Sequence, residues 1–300
     1  MSAVVTPGGL PLSSPIPILR PAGFIKRLFR DKPLGAAGGV VLLFFLLVGV
    51  AAPLLAPYGF NQIAPLDRLK PPSLAHWFGT DNLGRDVLSR CIYGAQLSVI
   101  IGCSAALLAT FVSALVGIVS GYFGGKFDLI VQRFVDAWMS FPDLVILIVV
   151  VSVVGPGMWQ TIVTLGLLLG IAGSRIVRSA VVSVRENMYV HAAQSIGSSS
   201  TRILWRHILP NVMAPIIVLF TTRVGTVILA ESGLAFLGLG VPPPAPTWGG
   251  MLSGSGRTFM FQGPWLALAP GLCLTVVVYA TNMFGDALRD LLDPRMRGTR

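Results

Sequence analysis

Long apolar runs separated by short polar segments dominate the hydrophobic pattern of this chain. An α-helix needs about 20 apolar residues to cross the hydrocarbon core of a bilayer, and several of the runs are long enough. The pattern therefore predicts an all-α, polytopic membrane protein with six transmembrane helices. The predicted spans are 35–56, 95–122, 127–154, 161–172, 213–240 and 266–284.

Features inside these runs predict how the helices bend and pack. In the third run, Pro142 predicts a kink in one long helix, because proline lacks the N–H group that a helix interior uses. Arg133 and Asp136 stand three residues apart on that helix, a spacing at which opposite charges pair. In the second run, Gly117 and Gly121 put small residues one turn apart, which permits close contact with another helix.

The composition excludes an ordinary soluble domain. Hydrophobic residues make up 54% of the 300 residues and charged residues 11%, and the mean hydropathy is +0.77. An average globular protein is about a quarter charged. The net charge of +10 would suit a nucleic-acid-binding protein, but the basic residues are not gathered on one soluble module. We therefore expect no nucleic-acid partner and assign the charge to membrane topology and to attraction for anionic lipid headgroups.

The distribution of basic residues predicts the orientation in the membrane. Six spans place both termini on one side, together with the polar segment between the fourth and fifth spans. Basic residues are concentrated on that side, so the positive-inside rule predicts that the termini and this segment are cytoplasmic. Outside the polar segment, the basic residues on this side are Lys26, Arg27, Arg30, Lys32, Arg289, Arg295, Arg297 and Arg300. Those on the opposite side are Arg68, Lys70, Arg85, Arg90 and Arg257.

The chain divides into four regions. Residues 1–34 form a cytoplasmic tail that begins with a Pro/Gly/Ser-rich stretch, expected to be disordered, and ends in an amphipathic basic stretch. Residues 35–94 comprise the first transmembrane helix, predicted to be an uncleaved anchor, and an external loop. Residues 95–288 form the core of the transmembrane domain, in which residues 241–265 are predicted to be a second external loop. Residues 289–300 form a charged cytoplasmic tail.

A polar segment, Ser174–Asn211, interrupts the apolar runs in the second half of the chain. One short helix is predicted through residues 192–194, ending near Gly197, and residues 198–201 supply an N-cap for a second. Pro210 is expected to prevent that second helix from continuing unbent. Such a polar helix pair cannot lie in hydrocarbon, so it is predicted on a membrane surface, available to a partner. Its arginines are Arg175, Arg178, Arg185, Arg202 and Arg206.

The spacing within this polar segment resembles a known motif. The letters AA at 192–193, three residues, G at 197, nine residues, and then HILPN at 207–211 are similar to the cytoplasmic EAA loop of ABC importer permeases. In that family the short helix of the loop docks into a groove of the ATPase subunit. The sequence departs from the family at His191, where the family usually has Glu. The resemblance implies a docking and coupling role for His191, Ala192, Ala193, Gly197, Leu209 and Pro210.

Further stretches resemble one subfamily, the C-type permease of dipeptide and oligopeptide ABC importers. The similar stretches are FGTDNLGRDVLSRCIYGAQLSV, ESGLAFLGLG, PTWGGML and LDPR, and together they cover most of residues 75–297. In the first stretch, Asp81, Arg85 and Asp86 are predicted to pair locally in a turn that leads into a helix. Residues 57–94 are predicted to be a folded external loop rather than a ligand site.

The resemblance implies the type I ABC importer permease fold, with a cytoplasmic coupling-helix loop, in a bacterial inner or plasma membrane. It also implies the partners: a homologous second permease, two cytoplasmic ABC ATPases, an extracytoplasmic substrate-binding protein and a peptide substrate. Closure of the ATPases would push on the loop and alternate the access of the pathway. Dipeptides, longer peptides, nickel, haem and glutathione remain open as substrates.

Signatures of catalysis are missing from the chain. A phosphate-binding P-loop requires G-x-x-x-x-G-K-[ST], and the nearest approach, Gly125-Lys126, has Ser120 and Phe127 where Gly and Ser/Thr are needed. The three cysteines stand far apart and form no C-x-x-C pair, so no zinc site or disulfide framework is predicted. We therefore expect no enzymatic activity, catalytic residue, metal or cofactor in this subunit; ATP hydrolysis would be carried out by the partners.

Glu231 is the acidic residue expected inside the membrane, within the fifth span. A carboxylate at that depth is costly and normally faces a bundle interior or water. It is therefore a candidate translocation-pathway residue or a buried structural acid. The alternative function is a self-sufficient secondary transporter or channel that uses Glu231. That alternative predicts inverted repeats with broken helices, and the sequence contains no convincing repeat.

Overall fold

The structure is a computed structural model that describes residues 21–292. The predicted disorder at the start of the chain and the basic residues Arg295, Arg297 and Arg300 lie outside this range. Within it, the chain forms helices and turns, with one isolated β-bridge between Thr80 and Asp86. The helices are α1 (Pro21–Asp31), α2 (Pro33–Val50), α3 (Ala52–Leu55), α4 (Val87–Phe123), α5 (Gly125–Met139), α6 (Asp143–Val154), α7 (Met158–Arg185), α8 (Met188–Ser195), α9 (Ser200–Ile203), α10 (Leu209–Phe236), α11 (Trp248–Met251), α12 (Arg257–Phe259) and α13 (Trp265–Leu292).

Within residues 21–292, five helical segments are long and apolar enough to cross a membrane: α2, α4, α7, the segment Ser200–Phe236 that includes α10, and α13. Helices α5 and α6 count as a sixth span if they are taken together. The prediction of an all-helical, polytopic fold is therefore confirmed.

The third span is not the single kinked helix that the sequence predicted. Helices α5 and α6 are bent by 86° relative to each other. Pro142 is the N-cap of α6, with extended backbone, and a proline also disfavours helical geometry in the residue before it. The apolar pattern continues across the break, which is why periodicity alone predicted one helix.

Helices α4 and α7 pack closely along their length. A Cβ atom added at Gly117 would lie 2.6 Å from the carbonyl oxygen of Ser174, and one added at Gly121 would lie 3.0 Å from Cβ of Val181. Both distances are too short for a larger side chain without movement of α7. The predicted role of Gly117 and Gly121 in close helix contact is confirmed, and it explains why these helices can meet backbone to backbone.

Ion pairs attach α5 to α7. Arg178 donates through Nε to Oδ1 of Asp128 at 2.6 Å, and Arg175 pairs with Asp136. The predicted pair of Arg133 and Asp136 is present at 3.7 Å, but Arg133 is the more distant partner of that carboxylate. Two arginines of the predicted polar segment therefore lie on α7 and hold α5, because α7 continues past the membrane span to Arg185.

Acidic side chains order the predicted external loop and start α4. Asp81 accepts from Nε of Arg85 at 2.7 Å, and Asp86 caps α4 by accepting from the backbone N–H of Ser89 at 2.7 Å. The predicted local pairing in a turn followed by a helix is confirmed. Because the cap sits at Asp86, α4 begins at Val87, and the boundary drawn between residues 94 and 95 falls inside a helix.

The segment predicted to be the second external loop, residues 241–265, packs into the bundle. It contains α11 and α12, and the side chain of Trp248 is 0% exposed. The indole Nε1–H of Trp248 donates to the carbonyl of Cys91 at 3.1 Å, and its ring meets Phe45 edge-on with centroids 5.5 Å apart. The absence of a side chain at Gly94 leaves room for the indole, since a Cβ there would lie 2.9 Å from it.

The two ends of the described chain pack together. Leu28 of α1 is buried against Ala36 of α2 and Ala287 of α13, and Nζ of Lys32 lies 2.5 Å from Oδ2 of Asp290. This proximity agrees with an even number of spans. The amphipathic basic stretch predicted before the first span is therefore a helix seated on the bundle.

Candidate functional site

The polar segment after α7 is held against the ends of three helices. The guanidinium of Arg185, at the last position of α7, donates to the carbonyls of Gly121 (3.1 Å) and Tyr122 (3.2 Å). These carbonyls belong to the last turn of α4, where no helical N–H is left to pair with them. Arg185 therefore ties the start of the segment to α4, and the charge also suits the negative end of that helix.

Helix α8 ends in a glycine cap, as predicted. Gly197 has φ of +77°, its N–H donates to the carbonyl of Gln194 at 2.9 Å, and the N–H of Ser198 donates to the carbonyl of Ala193 at 3.0 Å. This pair of bonds is the Schellman motif, which requires the left-handed conformation that glycine adopts without cost. A Cβ at Gly197 would meet nothing within 4 Å, so the requirement lies in the backbone and not in local crowding.

The two faces of α8 are different in kind. Val190 (0% exposed) and Ala193 (7% exposed) join an apolar cluster formed with Val177 and Val181 of α7 and Val212 of α10. The opposite face is exposed and follows the helical spacing i, i+3, i+4, i+7 and i+8. The exposed face consists of Met188, His191, Ala192, Ser195 and Ile196.

This exposed face of α8 includes large apolar side chains. Met188 is 87% exposed and Ile196, just after the helix, is 82% exposed. Sequence reasoning chose Ala192 and Ala193 together, but the structure separates them: Ala192 is exposed and Ala193 anchors the helix. The sequence analysis did not identify Met188 and Ile196 as part of this face. They stand four residues before and four residues after Ala192, which is the spacing of residues on one face of a helix.

The second helix of the segment continues into the fifth span. Ser199 caps α9 by accepting from the N–H of Arg202, a π-helical turn covers Leu204–Ile208, and α10 begins at Leu209 with Pro210 in its first turn. The second helix therefore continues into α10 through a π turn, and the expectation that Pro210 prevents it from continuing unbent stays a prediction. The wider π turn comes just before the proline, in the stretch where the missing N–H and the ring would disturb an α-helix.

An acidic residue lies beside His191. Nε2 of His191 is 3.9 Å from a carboxylate oxygen of Glu186, and the other oxygen of Glu186 accepts from Nη2 of Arg185 at 2.9 Å. His191 and Glu186 are both more than half exposed. A carboxylate is therefore present next to the position where the motif usually has Glu, although it belongs to another residue.

Glu231 lies in the interior of the bundle. It is 1% exposed, its polar neighbours are the hydroxyls of Thr247 and Ser232, and neither carboxylate oxygen has a partner in strict hydrogen-bond geometry. Ser232 also contacts α11 closely, because a Cβ at Gly249 would lie 2.5 Å from its Cα. Glu231 thus lies at the seam between α10 and α11, and its predicted role in the pathway stays a prediction.

A backbone prediction follows from the cap at Gly197. We expect Gly197→Ala to cost about 1 kcal/mol, because a residue with a Cβ is strained in the left-handed region, whereas Gly197→Asn should cost much less. Amide hydrogen exchange of α8 measures the difference, with opening about fivefold more frequent in the alanine variant. Equal exchange in the alanine and asparagine variants would contradict this assignment.

Two family models match the chain. The model described as "Binding-protein-dependent transport system inner membrane component" matches residues 113–298. The model described as "N-terminal TM domain of oligopeptide transport permease C" matches residues 24–72. The first alone covers more than half of the sequence and includes α8, its glycine cap and Glu231.

Named relatives match nearly the whole chain. The chain is 40% identical over 272 residues to the dipeptide transport system permease protein DppC of Alkalihalophilus pseudofirmus, which covers 91% of this chain and 89% of that protein. It is 37% identical over 290 residues to the glutathione transport system permease protein GsiD of Escherichia coli, with 96% and 95% covered. A chain of the MetNI methionine ABC transporter, solved in inward-facing conformations, has the same fold with a TM-score of 0.56 at 15% identity; the match covers 68% of this chain and 96% of that one.

Proposed function

The chain belongs to the family of binding-protein-dependent transport system inner membrane components, and from that premise we propose that it is the permease subunit of an ABC importer for dipeptides or oligopeptides. Members of this family are transport subunits of the membrane and not enzymes, and they work with ATPase and substrate-binding partners. The substrate class is proposed because relatives with 37–40% identity over almost the full length are named for dipeptide and glutathione transport.

The observation that carries the coupling proposal is the two-faced geometry of α8. An eight-residue helix presents exposed apolar side chains, Met188 and Ile196, on a surface that the membrane does not cover. Exposed apolar surface of this kind on a polar segment marks a protein contact. We assign the partner as a cytoplasmic ATPase, which would receive this face of α8 in a groove.

Motion at α8 has a direct route into the transmembrane helices. Its buried face packs on the cluster that contains Val181 of α7 and Val212 of α10, and Leu209 and Pro210 open α10 directly after the π turn. Packed side chains at normal density transmit displacement because they cannot be compressed. A push on α8 is therefore expected to move the inner ends of the fourth and fifth spans.

The exposed apolar surface of α5 and α6 suits a second permease. Ile130, Phe134, Val149 and Val153 are each more than half exposed, and α6 packs on the remainder of this chain through few residues. We propose that a homologous permease covers this surface and that two ATPases and one extracytoplasmic binding protein complete the complex. The self-sufficient carrier is not favoured, because full-length relatives are named as ABC permeases.

The proposed orientation places α8 and both termini in the cytoplasm of a bacterial inner membrane. The ends of the described chain lie together, and basic residues are concentrated on the side that also holds α8. ATP is cytoplasmic, so an ATPase can reach α8 only in this orientation.

Co-purification tests the proposed function. The chain is expressed with its neighbouring genes, captured by a tag on this subunit, and assayed for ATP hydrolysis with and without loaded binding protein. We expect a complex that hydrolyses ATP faster when the loaded binding protein is present. A chain that purifies alone and transports peptide in proteoliposomes without ATP would overturn the proposal.

His191→Glu tests whether Glu186 has taken over the acidic role at the docking surface. The change puts a second carboxylate beside Glu186, and like charges at this spacing repel modestly. We expect retention of the ATPase to fall about two- to fivefold, while the neutral control His191→Gln stays near the unchanged protein. Full retention and coupling in the His191→Glu complex would refute this compensation.

A further inference from the structure

Arg223, a charged residue in the fifth span, has no bound partner among the described residues. Arg223 lies at the midpoint of α10, a helix of 28 residues, and its side chain is half-buried. Across residues 21–292 no hydrogen bond or ion pair holds its guanidinium, whereas Arg175 and Arg178 are bound by acids of α5. A charge at this depth is costly unless it faces water or another polar group, so its accessible surface is not expected to face lipid.

The surroundings of Arg223 leave a space for its guanidinium. A Cβ added at Gly173, in the middle of α7, would lie 3.2 Å from Nη2 of Arg223 and 2.3 Å from Oγ of Ser113. The glycine therefore makes room where a side chain would block the guanidinium. The space lies between α4, α7 and α10.

A carboxylate of the same chain attracts Arg223 without binding it. Asp143 exerts an electrostatic attraction on Arg223, is exposed, and is the first residue of α6, directly after the 86° bend. Arg223 and Asp143 thus lie on different helices, and no ion pair among the described residues joins them.

We propose that Arg223 is a specificity-determining residue that binds the C-terminal carboxylate of a peptide as it passes through the membrane. This inference rests on the proposed function. A guanidinium offers two parallel N–H donors to a carboxylate, and every unmodified peptide carries one such group. When no peptide is present, Asp143 is the acidic group that attracts the guanidinium; a bound peptide carboxylate takes its place.

The test compares peptides with and without the carboxylate in the assembled complex. Proteoliposomes that contain the chain with its partner subunits receive the same peptide as free acid or as C-terminal amide. Each peptide is used at a concentration that saturates the binding protein, as determined by calorimetry. The amide is one that the binding protein accepts. Uptake per ATP hydrolysed is measured for the unchanged complex, Arg223→Gln, Arg223→Lys and the control Arg30→Gln, an exposed arginine on α1.

We expect Arg223→Gln to lower uptake of the free acid about tenfold or more and to leave the amide within about twofold. Arg223→Lys should recover part of the loss, because it keeps the charge without the bidentate geometry, and Arg30→Gln should behave as the unchanged complex. Equal loss for acid and amide would overturn the proposal. A loss of the complex itself would also overturn it, since the guanidinium would then serve a carboxylate of the second permease.

Asp143→Asn gives a prediction of opposite sign. Removing the competing carboxylate should leave uptake of the free acid unchanged or raise it severalfold, and a fall as large as that of Arg223→Gln would show a structural pair instead. An unchanged complex that lacks ATP-dependent uptake altogether would refute the proposed function, and with it this inference. Normal ATP-dependent uptake that does not change when Arg223 is replaced would refute this inference alone and leave the proposed function standing.

Discussion

Ala192→Asp is expected to abolish most ATP-driven transport while the permease still folds. Ala192 lies on the exposed face of α8, opposite the buried Val190 and Ala193, so an aspartate there meets only solvent in the free subunit. In the proposed complex the same position lies in the groove of the ATPase, where a charge without a partner costs about 2 kcal/mol or more. Docking should weaken about thirtyfold, which is measured as ATPase retained on the tagged permease and as uptake in proteoliposomes.

Ser200→Asp is the matched control for this experiment. Ser200 is exposed and is the first residue of α9, where an acidic side chain is favourable next to the helix N-terminus. We expect normal docking in this variant and an unchanged melting temperature in both. Normal ATPase retention by Ala192→Asp would show that the partner does not cover this face of α8.

Among single substitutions outside the contacts between the long helices, Trp248→Ala is expected to cause the largest loss of folding stability. The indole is 0% exposed, lies in a cluster with Ala95, Ile228 and Val277, and donates to the carbonyl of Cys91. Removal of a buried tryptophan side chain costs about 3–5 kcal/mol, since it leaves a cavity. The apparent melting temperature in detergent should fall by about 10 °C.

Two further variants distinguish the packing of the Trp248 ring from the effect of removing a tryptophan elsewhere in the protein. Trp248→Phe keeps most of the ring and removes the hydrogen bond, so its loss should be about 1–2 kcal/mol. Trp77→Ala removes a tryptophan that is 69% exposed and should change stability by less than about 0.5 kcal/mol. A Trp248→Ala protein as stable as the Trp77→Ala protein would contradict the packing of residues 241–265 into the core.

Periodic and local features of this protein were readable from the sequence. Apolar runs of spanning length predicted the helical membrane fold, because hydrocarbon tolerates few other arrangements. The position of Gly197 predicted the end of α8, since a glycine cap depends on one or two neighbouring residues. The start of α4 at Val87 was placed eight residues too late. The proposed docking segment was identified by its resemblance to the EAA loop and not by a physical rule.

Only the tertiary structure decided which residues meet across the chain. Pro142 was read as a kink, yet it separates two helices bent by 86°, because the angle depends on what each helix packs against. Trp248 lies in a Pro/Gly-rich stretch typical of a loop and is buried only because Gly94, far away in sequence, leaves room for its indole. Arg223 has no local signal beyond its charge in an apolar run, and its candidate role follows from Gly173 and Asp143 on two other helices. Long-range contacts of this kind have no fixed spacing in the sequence, whereas helix periodicity and caps do.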